Sequence, residues 1–393
     1  MPWAFVVAGC IGMFAATATG STRAPFLPDM AFDLMVSLPA IANLFGVTAT
    51  AWGISGYLVG YLSDRIGRRF FLLFSLPLLA IAMLGIAFVE SYWALVAIVV
   101  FSGTVCGAYT STTLAEVSVR AHSSYHGRAF GYVMSGQSLT LLCGVPLAAF
   151  LGSLVGWRGT HICLALLALI ATVAMAIALS KSNTAKQTNT SSSINKGSAL
   201  RVALTGPVVR LFLALIAERV CFGLAAFYYA AYLRQVYELP IESVALPLVG
   251  FALGNIVGTI VGGQVADRYP YRRISFAIAL GAAGCTAIPW FLWKTSLHIT
   301  VSLGVAFAFF NALSRPSLLA ALADVPEDVR GVVMGMNSSI ASLGWLTAAL
   351  VGGWFYSGVG FSGFGPFMAV MCFIAAAVVI PDSRIRNHQE HLN

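Results

Sequence analysis

The sequence predicts an all-α membrane protein of twelve transmembrane helices, arranged as two pseudo-symmetric six-helix bundles. Three observations lead there. Composition is the first: of 393 residues, 59% are hydrophobic and 9% charged, against about 25% charged in an average soluble domain. The second is a charged turn that occurs twice. Gly60-Tyr61-Leu62-Ser63-Asp64-Arg65-Ile66-Gly67-Arg68-Arg69 lies between two long apolar stretches, and Gly263-Gln264-Val265-Ala266-Asp267-Arg268-Tyr269-Pro270-Tyr271-Arg272-Arg273 lies between two others half a chain later. The third is a polar stretch, 181–206, that parts the apolar runs into six and six.

A run of about 20 apolar residues crosses a bilayer as a helix. Such runs fall at 3–22, 38–60, 70–89, 92–118, 129–151 and 159–180, then at 208–233, 243–265, 274–293, 297–322, 332–354 and 364–381. The first closes on Thr17, Thr19, Ser21 and Thr22, followed by Arg23 at the outer rim. Arg23 there either snorkels to the interface or screens an anion entering the cavity. Ala16-Thr17-Ala18 looks like a signal-peptidase site, but no Lys or Arg precedes the run, so this helix is expected to be retained.

Gly60 ends the second helix where the chain must turn at once, and Gly67 supplies a second permissive position. Hydroxyls crowd the fourth run at Tyr109-Thr110-Ser111-Thr112-Thr113, and the run ends on Leu114-Ala115-Glu116-Val117. Gly127-Arg128 opens the fifth. Within it, Gly144-Val145-Pro146 is expected to kink the helix, with Gly144 and Pro146 as the cause. Most of the hydroxyls are expected to bond back to their own helix or to a neighbour.

Domain boundaries follow: 1–180 for the first bundle, 181–206 for a flexible basic linker that cannot bury a core, 207–381 for the second bundle and 382–393 for a tail. In the second half, Leu322-Ala323-Asp324-Val325 ends the tenth run as 114–117 ends the fourth, and Arg330-Gly331 opens the eleventh as Gly127-Arg128 opens the fifth. Each half thus carries a charged turn, an acid and an arginine in the same order.

Charges inside the spans are the strongest site candidates. An ionised residue at a helix centre costs about 2.5–3.5 kcal/mol on insertion scales, so it pairs or lines a wet cavity. Glu218, Phe222, Ala225, Tyr229 and Tyr232 share a face of the seventh helix, and the acid with two phenols suits a cavity wall. Arg219 is expected to point elsewhere. Asn311 and Arg315, four apart, share a face of the tenth helix. At 1.5 Å per residue, Glu218 and Arg315 both sit about 10–12 Å inside the same membrane surface. A Glu218–Arg315 pair follows, either yielding to solute and proton or locking one bundle statically.

The Lys/Arg distribution sets the orientation. Only Arg23, Arg158, Arg234 and Lys294 fall on one side, Arg219 and Arg315 fall within helices, and the other sixteen of 22 lie opposite. Both termini are therefore expected in the cytoplasm. The net charge of +8 is explained by this bias and calls for no nucleic acid. The seven cysteines lie within spans as packing residues, with no disulfide framework and no Cys/His metal spacing. A nucleotide-binding loop is absent, as is any catalytic His/Asp/Glu spacing. The chain is expected to be no enzyme, to need no cofactor or metal, and to have no obligate protein partner.

The pattern Gly60-x-Leu62-x-Asp64-Arg65-x-Gly67-Arg68-Arg69, set among twelve spans, resembles the cytoplasmic signature of the major facilitator superfamily. The resemblance covers essentially the whole chain. It implies two six-helix bundles flanking a cavity that opens alternately to each side and is lined by the first, second, fourth and fifth helices of each half. It also implies that Asp64 lies against the start of the eleventh helix and holds the cytoplasmic side shut, a helix-end contact worth about 0.3–1 kcal/mol. Arg68 or Arg69 then bridges to Glu116 and Glu116 to Arg128. Asp267, Arg272 or Arg273, Asp324 and Arg330 are the second-half equivalents. Arg65 serves topology, and Arg268 is its repeat. The family's antiporter signature matches only in part: Val145 separates Gly144 from Pro146, and Val99 stands where an arginine is usual.

The expected function is secondary active transport of a small organic solute by alternating access, proton-coupled and outward. Glu218 is the protonation candidate, and Arg315 and Arg23 tilt the solute toward an anionic or zwitterionic one. The alternatives are an uptake symporter for a small organic acid or sugar and a non-transporting membrane sensor or scaffold. The expected setting is the plasma (inner) membrane, with the lipid bilayer and protons as partners.

Overall fold

A computed structural model of the protein describes residues 3–120, 126–180, 205–269, 271–324 and 327–380; the linker 181–204 and the tail 381–393 lie outside it. The side chains of Asp64, Arg128 and Arg330 lie outside it too. The described residues contain no strand. In order, the helices are α1 (Trp3–Ser21), α2 (Leu27–Asp33), α3 (Leu38–Ile66), α4 (Arg68–Ala87), α5 (Tyr92–Arg120), α6 (His126–Leu139), α7 (Val145–Ser180), α8 (Gly206–Val236), α9 (Ile241–Arg268), α10 (Arg272–Leu292), α11 (Leu297–Ala323), α12 (Glu327–Val359) and α13 (Phe364–Val379).

Ten helices among the described residues are long and apolar enough to cross a membrane. One of these stretches, Gly131–Ser180, is 50 residues long and breaks at Gly156, where φ is 70°. Its two arms are the fifth and sixth expected spans. The ten do not include α8, which carries Arg210, Glu218, Arg219 and Arg234. The expected twelve is matched only when those two arms are counted separately and α8 is added.

The chain forms two compact units: residues 1–189 with 233–248, and 190–232 with 249–393. In the first, α3 lies along α5, α4 lies between α5 and α7, and α1 packs on α5, α6 and α7. Small residues bring these backbones together. A Cβ on Gly107 of α5 would stand 2.3 Å from the Trp52 carbonyl of α3, and one on Gly136 of α6 would stand 2.2 Å from the Cys10 carbonyl of α1. Local signals set the ends. Ser37 is extended before α3, and Pro39 sits in the first turn, where its missing N–H leaves no bond unmade. Gly67, at φ 110°, makes the whole link between α3 and α4.

The expected kink is present as a π turn, Thr140–Gly144, directly before Pro146. Proline has no N–H for the carbonyl four residues back, so the ladder must shift. The Thr140 hydroxyl lies 3.1 Å from both the Gly136 and Phe14 carbonyls.

In the second unit α9 runs along α11 on a glycine seam. Added Cβ atoms at Gly254, Gly258 and Gly262 would lie 2.5, 2.2 and 2.5 Å from the carbonyls of Val305, Phe309 and Leu313. The pairing repeats that of α3 with α5. On its other side, α11 packs on α10, which meets α13. Gly223 of α8 faces Ala348 of α12, and Gly344 of α12 faces Arg219. All seven cysteines are free thiols.

Candidate functional site

The charged residues of α8 and α11 meet inside the second unit. Glu218 is wholly buried. Arg315 donates from Nε to Glu218 Oε1 at 2.6 Å and from Nη2 to Asn311 Oδ1 at 3.0 Å. Its guanidinium lies over the Phe222 ring, 4.2 Å from the centroid, a placement that favours cations. The helical spacing explains the set: Glu218 and Phe222 are one turn apart on α8, and Asn311 and Arg315 one turn apart on α11.

Arg219 corrects one expectation. It does not point away: its Nε lies 3.3 Å from Glu218 Oε2. Neighbouring positions on a helix diverge, but the arginine side chain is long enough to curl back to the carboxylate beside it. Glu218 therefore stands between two guanidinium groups that are only 14% and 19% exposed. The cluster keeps one positive charge over. Among the described residues Glu218 Oε2, Arg219 Nε and Asn311 Nδ2 make no hydrogen bond, so the group is ionically paired yet short of partners.

Tyr229 and Tyr232 stand apart from this cluster, about 16 and 21 Å further along the same helix. Both are buried in an aromatic assembly with Trp290, Phe251, Phe291 and Phe361, and the Tyr232 hydroxyl donates to the Trp290 carbonyl at 3.2 Å. The expected cavity wall is a packed core at that end, because α10 covers it.

Arg23 is the second correction. It is 1% exposed rather than at a rim. The chain does not leave the bundle after α1; a 3-10 turn over Ala24–Phe26, with Pro25 in it, leads directly into α2. Arg23 donates to Thr48 Oγ1 at 2.6 Å and to the Gly20 carbonyl at 3.2 Å, and its guanidinium lies 5.3 Å from the Phe45 ring centroid.

Where α4 begins and α5 ends, Arg68 donates to the Ala115 carbonyl at 3.0 Å and lies 3.8 Å from Glu116. Glu116 takes Arg120 as its close partner at 2.6 Å. Arg120 was not among the expected members, although its spacing of four from Glu116 was visible. The second unit repeats the relay: Arg272 contacts Asp324 at 2.5 Å and the Ala320 carbonyl at 3.3 Å. Asp267 and Arg268 are exposed at the end of α9, as are Arg65 and Arg69 near the link from α3 to α4. Gly60, like Asp64, is described only in its backbone.

Acids after the first span were also missed. Asp29 receives Arg234 in a two-pronged contact of 2.5 and 2.8 Å, and Arg234 also reaches the Pro25 carbonyl at 2.9 Å. Asp33 accepts from Trp157 Nε1 at 2.8 Å and lies 3.9 Å from Arg158. Two acids four apart, followed by the next apolar run, were the available signal.

The family description Major Facilitator Superfamily matches residues 9–324 and 211–391. An uncharacterised MFS-type transporter of Bacillus subtilis, YwfA, is 25% identical over 94% of this chain and 90% of its own. The inner membrane transport protein YdhP of Escherichia coli K12 is 24% identical over 96% of each. A chloramphenicol resistance protein of Streptomyces lividans is 28% identical over 70% of each.

Proposed function

The chain belongs to the major facilitator superfamily, and on that footing we propose that it is a proton-coupled exporter of a small anionic or zwitterionic organic solute. It is an integral, multi-pass membrane protein of a transporter family, not an enzyme. One observation carries the finer reading: Glu218 is wholly buried between Arg315 and Arg219. In a transport span such a carboxylate has two stable conditions, paired and ionised or unpaired and protonated. A solute anion that draws on Arg315 leaves Glu218 to take a proton, and proton release restores the pair. Solute and proton binding are then linked through one guanidinium.

Outward transport is favoured by the Streptomyces relative, which is named for resistance to chloramphenicol. The kink at Thr140–Gly144 also lies where the antiporter signature has its Gly-Pro step. Asp64 acts as the gate, with the Arg68–Glu116 and Arg272–Asp324 relays bracing the two repeats. These charged turns face the cytoplasm with both termini. An impermeant thiol reagent is expected to label a cysteine placed in 181–206 only after the membrane is opened. Labelling of intact cells at that position would invert the orientation.

The transport reading is tested by counterflow in proteoliposomes preloaded with a panel of radiolabelled organic acids and amino acids. A labelled anionic solute is expected to accumulate transiently, and an imposed pH gradient to drive it. No counterflow with any anion or zwitterion would overturn the solute class and leave a sugar symporter, or a sensor or scaffold. Co-directional movement of solute and proton would make it an uptake symporter.

A further inference from the structure

Arg23 is buried in the first unit, and among the described residues no acid pairs with it. The described carboxylates nearest in sequence are engaged elsewhere: Asp29 by Arg234, Asp33 by Trp157 and Arg158. Glu116 is held by Arg68 and Arg120. Arg23 has only neutral partners, the Thr48 hydroxyl and the Gly20 carbonyl, and its Nη1 has none. A buried charge without a counter-charge is strongly unfavourable.

Among the described residues two titratable groups interact electrostatically with Arg23. The first, His161 of α7, is wholly buried. Its Nδ1 lies 2.7 Å from the Trp157 carbonyl; a carbonyl only accepts, so Nδ1 carries a proton there. Nε2 is left without a partner. The other titratable group that faces Arg23 is the Cys106 thiol of α5, which hydrogen-bonds within the protein to Thr19 and to the Ala16 carbonyl.

We infer that Arg23 Nη1 is a binding site for a monovalent carboxylate, met by the anionic group of the carried solute at a step separate from its contact with Arg315. The fixed charge is single, so a monovalent anion neutralises it, whereas a divalent one would leave a new buried charge. The planar guanidinium edge matches a carboxylate, and the Phe45 ring against the guanidinium gives the site an apolar side. That the carboxylate belongs to the solute rests on the transport reading; the anion site itself does not.

The test is the unfolding temperature of the purified full chain in detergent, in sulfate buffer, with sodium benzoate, sodium acetate or sodium chloride added. Saturating benzoate or acetate is expected to raise it by about 3 °C, as a ligand that binds only the folded state does, and chloride to raise it less. Arg23→Gln is expected to remove the shift and, without any carboxylate, to unfold at a higher temperature than the wild type, because an unanswered charge is gone. Arg23→Lys is expected to keep part of the shift. A shift that survives Arg23→Gln, or none in the wild type, overturns the site. So does an Arg23→Gln protein that is less stable than the wild type without anion, since Arg23 would then be a structural residue. An equal shift with chloride overturns the assignment to a solute carboxylate. If counterflow fails while the Arg23-dependent shift persists, only the transport reading falls.

Discussion

Glu218→Gln is expected to lower pH-driven accumulation of solute at least tenfold while leaving solute exchange across proteoliposome membranes measurable. The glutamine carbonyl can still accept from Arg315 at the position of Oε1, so the contact at 2.6 Å survives in weaker form. The proton does not, because an amide cannot take one up. Exchange needs only that the solute reach Arg315 from each side in turn, whereas accumulation needs a proton to be exchanged with it. The variant Glu218→Ala is less informative. It leaves Arg315 and Arg219 buried without their shared partner, a loss of about 3–5 kcal/mol that threatens the fold itself. Full pH-driven accumulation by Glu218→Gln would reassign the Glu218–Arg315 contact to structure.

Gly258→Ala is expected to cost most of the folded protein. The added Cβ would meet the Phe309 carbonyl oxygen at 2.2 Å, its carbon at 2.9 Å and its Cα at 3.0 Å. All three atoms are backbone, so no side-chain rotation relieves the clash, and α9 must move away from α11. Gly254 and Gly262 are seated on the same seam at 2.5 Å and would be lifted with it. Overpacking at one site costs about 1–3 kcal/mol, and here one methyl disturbs three contacts. Gly263→Ala is the control, since nothing lies within 4 Å of a Cβ there. Size-exclusion profiles and thermal unfolding of both variants in detergent decide the matter. Equal behaviour of the two would show that the seam tolerates separation and that the glycines are incidental.

Moving α9 from α11 would also disturb the charged cluster, because Asn311 and Arg315 sit on α11 between Phe309 and the acid end at Asp324. The same helix thus joins a packing seam on one side to the charged cluster on another.

Much of this was legible in the residues. Apolar runs, charged turns and the one-sided excess of Lys and Arg report how each segment partitions between lipid and water, which is a property of the segment alone. Pairing of Glu218 with Arg315 was legible for the same reason: a charge within a span needs a partner, and the two lie at a similar depth along their helices. The resemblance implied Arg68 or Arg69 for Glu116 and Arg272 or Arg273 for Asp324, and the structure pairs Arg68 with Glu116 and Arg272 with Asp324.

What only the tertiary structure decided were the directions of side chains and the cover over them. Arg219 joins Glu218 because its flexible stem folds back, which no face of a helical wheel predicts. Tyr229 and Tyr232 belong to a core because α10 packs over their end of α8. Arg23 is buried because Pro25 and α2 turn the chain back over it, while Arg234, Trp157 and Arg158 take the acids that follow. Partitioning is additive along the chain and can be read from it. Burial and pairing depend on which distant segments arrive at the same place, and those are settled only when the helices pack.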